Sequence, residues 1–96
     1  MRITFFQQKQ LIKNAYANTY CFDLPPCEMK EKLMNMLTCH LLMVQNEDAK
    51  DKCRKLIFHL YENPSDDEIQ SLYATESVIM TFAYALLLFF DKLEYA

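Results

Sequence analysis

The sequence predicts an all-α fold: a single compact bundle of four to five helices with an apolar C-terminal helix at its centre. Three observations predict it. Glycine is absent from the 96 residues, which removes the residue that two-residue hairpins and close backbone approaches depend on. Apolar side chains recur at three- and four-residue spacing through most of the chain. Prolines and an asparagine stand between the periodic segments, where helices have to stop. With 52% apolar and 24% charged residues, the chain reads as one globular domain, 1–96, able to bury one core.

The first helix is expected over 4–21, with Phe5, Ile12, Ala15, Tyr16 and Thr19 roughly on one face. Pro25 and Pro26 end it, because proline lacks an amide donor and restricts its predecessor. A short extended start over Arg2–Phe6 is the one place where a strand is conceivable. The second helix begins at Pro26, with Glu28 placed for the helix dipole. Its stripe of Met29, Leu33, Met36, Leu37, His40, Leu41 and Val44 follows one face for about four turns.

Asn46 marks a break, and a third helix over 48–62 turns Cys53, Leu56, Ile57, Leu60 and Tyr61 to one side. Asn63-Pro64 stops it. Ser65-Asp-Asp-Glu68 is a capping-box pattern for a fourth helix, and residues 66–94 can form one long helix or two, Thr75–Ser77 being where a kink or restart would fall although nothing there forces a break. Within that last segment Val78, Ile79, Phe82, Leu86, Phe89, Phe90 and Leu93 can face one way while Met80, Tyr84, Leu87 and Leu88 cover other directions. A helix so apolar around its perimeter is central to a bundle or shared with a second chain. Only 14 residues separate Glu76 from Asp91, roughly 21 Å of helix against a hydrocarbon core of ~30 Å, so a standard membrane span is not expected.

Composition also restricts function. Without glycine the chain cannot carry the phosphate-cradling loops of common nucleotide-binding folds. A net charge of -3 and an isoelectric point near 5.3 argue against direct nucleic-acid binding and for a basic partner. No secretory leader is read at the N-terminus, so Cys21, Cys27, Cys39 and Cys53 are expected as reduced thiols in a cytoplasmic protein. No metal site or cofactor is expected: Cys39 and His40 are adjacent, about 100° apart on a helix, and no C-x-x-C or H-x-x-x-H pair is present. The same divergence prevents them from acting as a nucleophile and its base.

Arg54-Lys-Leu-Ile-Phe-His59 has an R-x4-H spacing that resembles the motif of the HEPN family, small helical domains that often act as metal-independent ribonucleases across two chains. The resemblance covers six residues and implies His59 as acid or base and Arg54 as the phosphate-charge stabiliser. Lys55 stands where the family usually has a polar residue.

The alternative lies in the carboxylates. Residues 1 to 22 carry three basic and no acidic side chains, whereas residues 63 to 96 carry six acidic ones against Lys92. Carboxylates at Asp66, Asp67 and Glu68 are well placed to stabilise a helix start. With Glu47 and Glu62 they can also present negative charge to a basic protein, Tyr73 serving as an exposed aromatic anchor. The function expected from these features is binding rather than catalysis: an immunity- or antitoxin-like protein that neutralises a basic toxin nuclease. A phage-type inhibitor of a host defence nuclease has the same chemistry, and a structural homodimer would use the apolar helix alone.

Overall fold

A computed structural model describes residues 4–94, with side-chain surroundings as far as Phe89. The described residues form four helices and no strand: α1 (Phe5–Tyr16), α2 (Pro26–Met43), α3 (Glu47–Leu60) and α4 (Asp66–Glu94). The all-α bundle is as expected, with four helices rather than a possible fifth. Residues 2 and 3 of the conceivable extended start lie outside the described residues. Thr4 is extended, but Phe5 and Phe6 are already helical.

Each helix start has a local cause. Thr4 and Gln7 form a reciprocal capping box: the Gln7 amide donates to Thr4 Oγ1 at 3.2 Å and the Thr4 amide to Gln7 Oε1 at 2.9 Å. Pro26 opens α2, where a missing amide costs nothing. Asn46 accepts from the amides of Asp48 and Ala49 to open α3. Ser65 accepts from the Glu68 amide at 3.2 Å, completing one half of the expected box, while the Glu68 carboxylate reaches across to His59.

The first helix ends five residues before the expected position. Asn18 donates its side-chain amide to the Asn14 carbonyl at 2.7 Å and Thr19 its hydroxyl to the Tyr16 carbonyl at 2.7 Å, bonds that compete with helical continuation. Tyr20 then adopts φ 60 and Asn63 φ 56, the left-handed positions that glycine usually fills.

All four helices contribute to the core. α2 packs against α4 and α3, and α1 lies along α2 and α4. Leu33, Met36 and Leu37 of α2 are fully buried, with Met29 close behind, so the inner half of the expected stripe stands. His40 and Leu41 are half-buried, and Val44 caps the helix in an extended conformation. From α3 come Cys53 and Leu60, from α1 Ile12 and Ala15, and from α4 Ile69, Tyr73, Met80 and Leu87.

The course of α4 is decided, and one expectation about it is overturned. No break occurs at Thr75–Ser77; α4 is one helix of 29 residues, about 44 Å long at 1.5 Å per residue, nearly the 46 Å length of the molecule. Nor is the apolar stretch central over 77–89. The inward positions of α4 are Ile69, Tyr73, Glu76, Ser77, Met80 and Leu87, whereas Val78, Phe82, Leu86 and Phe89 are exposed. A slab whose short dimension is 16 Å has helices on one side of α4 only, and side chains apolar all round the perimeter cannot all be covered. Phe90 and Leu93 lie outside the described side chains.

Among the described residues, one stretch, Asp66–Phe89, is long and apolar enough by composition to cross a membrane. It exceeds the 14-residue reckoning because it contains Glu76, which the fold buries against His40.

Candidate functional site

The turn from α3 to α4 gathers four of the five expected acidic residues at one corner. Glu62, Asp66, Asp67 and Glu68 are all exposed there. His59, in the last turn of α3, joins the two helices: its Nε2 lies 3.2 Å from Glu68 Oε1 and its Nδ1 3.8 Å from Glu62 Oε2. Asp66, Asp67 and Glu68 occupy the first turn of α4, where unpaired amides and the helix dipole favour negative charge. Helix stabilisation and surface charge are therefore served by the same carboxylates. Glu47 is exposed at the opposite end of α3, 3.7 Å from Lys50, and does not join this corner.

Tyr73 cannot be an exposed anchor. Its side chain is fully buried, its hydroxyl donating to the Asn18 carbonyl and accepting from the Cys21 amide at 2.9 Å. Phe22 meets its ring edge-on at 5.3 Å. Burial raises the phenol above its ordinary range. It holds the α1–α2 connection against α4.

The aromatics that do face outward at the corner are Phe58 and Tyr61, 68% and 70% exposed. Spacing of three residues puts them on the same side of the α3 end. They went unrecognised because Tyr61 extends the buried pattern of Cys53, Ile57 and Leu60. It is the C-cap residue, however, its amide bonded back to Phe58 and His59, and its ring leaves the core as the helix closes.

Arg54 and His59 are not brought together within the chain. Five residues on a continuous helix are about 140° apart; Arg54 is 4.0 Å from Asp51 while His59 lies among carboxylates. The HEPN-like arrangement would require a second chain to supply the complementary group. A groove of about 270 Å³ between α1 and α2 is lined by Asn14, Asn18, Asn35, Thr38 and Cys39 among others. Burial pushes the Cys39 thiol up to about 11, leaving a poor nucleophile there.

Among the described residues, no group of three or more His, Cys, Asp or Glu side chains is arranged to hold a metal ion. The second titratable pair is internal: His40 Nδ1 lies 3.1 Å from Glu76 Oε2, with Glu76 almost wholly buried. The hydrogen bond to Glu76 raises the His40 pKa, burial opposing it. Cys53 is pushed to about 11, by burial first and then by the Glu76 charge.

No family model, curated protein or solved structure matches the chain. The corner's own chemistry carries its interpretation.

Proposed function

We propose that this chain is a small cytoplasmic binding protein that inhibits a basic macromolecular partner, as an immunity protein or antitoxin neutralises a toxin nuclease. The observation that supports this reading is the α3–α4 corner, where Glu62, Asp66, Asp67 and Glu68 are exposed at a helix start and Phe58 and Tyr61 are exposed on the last turn of α3. Exposed aromatics and charge of one sign at the same end of the fold have the composition of a binding hot spot with a polar rim.

The carboxylates would pair with the arginines and lysines that hold a nucleic-acid backbone, while the rings fill apolar recesses between them. Inhibition is then occlusion of a phosphate-binding surface, with no chemistry performed by the inhibitor. The acidic field also accelerates encounter with a basic partner, an effect that salt suppresses.

The test is to isolate a stoichiometric partner from the native host or among proteins of neighbouring genes, then to titrate it calorimetrically at low and high salt. Asp66→Lys combined with Asp67→Lys is expected to weaken binding at least tenfold, and Tyr61→Ala by a similar factor, about 1.4 kcal/mol each. Affinity unchanged in both variants would show that the corner is not the contact. The partner's identity distinguishes a toxin nuclease from a host defence nuclease.

A further inference from the structure

The outward face of α4 changes character along its length. Ser71 and Thr75 are exposed in the first half, Val78, Phe82, Ala85 and Phe89 in the second. These six positions alternate in steps of four and three, a heptad seam, and every one of them faces away from the bundle. Leu86 and Leu88 flank the seam, both exposed. A seam in this register matches the facing surface of another helix rather than a globular pocket, because a 3.5-residue repeat keeps two supercoiled helices in contact.

We propose that the second half of α4 is a homodimer interface, occupied by the same helix of a second copy running antiparallel. Charge sets the direction. A parallel pair would place the acidic first turn Asp66, Asp67 and Glu68 beside its own copy, an uncompensated cluster of like charges. An antiparallel pair separates the two acidic ends and sends each towards the end of its partner where α1 lies, a helix with Lys9 and Lys13 and no acidic residue.

Size complementarity sets the register. Pairing Phe82 with Ala85 of the second copy and Val78 with Phe89 faces large side chains with small ones in each layer. The two-fold axis then passes between Ala83 and Tyr84. Phe82 is 67% and Leu86 58% exposed; with Val78, Leu88 and Phe89 they offer on the order of 500 Å² per protomer, scaling from ~150–250 Å² per aromatic side chain. Two copies thus bury up to about 1,000 Å², the lower bound for a specific interface. The acidic corners would lie about 50 Å apart at opposite ends of the paired helices, leaving both available.

The test is the mass of the full chain by light scattering and sedimentation between about 1 and about 200 µM, a range reached by interfaces of this size. Twice 11.4 kDa is expected at the upper end, and Phe82→Lys is expected to give a monomer with unchanged helical circular dichroism, since that ring contributes little to the fold. In a Cys27→Ser background, a mixture of Phe82→Cys and Ala85→Cys chains should cross-link on mild oxidation while Val78→Cys alone should not. A wild-type monomer throughout the range, or a dimer that survives Phe82→Lys, would overturn the proposal. Efficient Val78→Cys self-cross-linking would overturn the antiparallel order. A monomer that instead binds phosphatidylcholine–phosphatidylglycerol vesicles in a Phe82-dependent way would assign the face to lipid and equally defeat it.

Discussion

Removing a single oxygen from Tyr73 is expected to be among the costliest conservative changes in this protein. In Tyr73→Phe the ring remains, so the edge contact with Phe22 at 5.3 Å and the apolar packing persist. What disappears is the hydroxyl that accepts from the Cys21 amide and donates to the Asn18 carbonyl. Both stranded groups belong to the α1–α2 connection, pressed against α4. A buried donor or acceptor left without a partner costs about 1–3 kcal/mol; both bonds are part-buried, so water recovers some of this and the total loss is ~2–3 kcal/mol. At ~4–8 °C per kcal/mol for a domain of this size, Tm should fall by roughly 10–20 °C. Urea titration followed by circular dichroism should show the midpoint shifted and the slope unchanged. Tyr61→Phe, altering an exposed ring, serves as the control. A Tyr73→Phe variant within ~0.5 kcal/mol of wild type would refute the argument that these two hydrogen bonds fasten the connection, since surface substitutions have effects of that size.

Two further outcomes follow from the titratable groups. The His40 pKa is raised, chiefly by its hydrogen bond to Glu76, so folding favours the protonated ring. This stabilisation is fully present below the ordinary histidine value of about 6.5 and is lost as pH rises through the higher folded value. Urea midpoints should therefore include a decline from neutral to mildly alkaline pH that Glu76→Gln flattens, whereas an identical pH dependence in that variant would remove the pair from the explanation. For the thiols, a maleimide reagent should modify Cys27 first in the native protein, because it is exposed, while Cys39 and Cys53, buried and pushed to about 11, should react only on unfolding. Rapid native labelling of Cys53, whose Sγ donates to the Leu37 carbonyl at 3.2 Å, would contradict its assigned burial.

The legible parts of the fold were those where sequence pattern and burial have the same period. The α2 stripe illustrates this: Met29, Leu33, Met36 and Leu37 recur at helical spacing between polar residues, and those are its buried positions. In the second half of α4 apolar residues occupy nearly every direction, so periodicity contains no orientation. Met80 and Leu87 turn inward while Val78, Phe82 and Leu86 turn out, an outcome decided by where α1 and α2 can reach. Tyr73 was misplaced for a related reason. Tyrosine suits either an interface or a core whose backbone can engage its hydroxyl, and the groups that engage it lie more than fifty residues away. The acidic corner was legible as charge beside a helix start; its aromatic members were hidden by the turn that closes α3.

The same distant fastening has a consequence for the order in which the chain acquires structure during synthesis. The α1 helix and the residues after it find partners in Tyr73, Ser77 and Tyr84: the Tyr20 amide donates to Ser77 Oγ at 3.3 Å, and Tyr16 stacks on Tyr84 at 4.4 Å. The first helix to leave the ribosome must therefore wait for the last one to complete its packing. The α2–α3 hairpin is local and can form early, and α1 can lie along α2, but the side of α1 that faces α4 stays uncovered until residues 73–84 have emerged, available to chaperones in the interval. A ribosome stalled shortly before Tyr73 would hold a nascent chain whose earliest-made helix is still protease-sensitive.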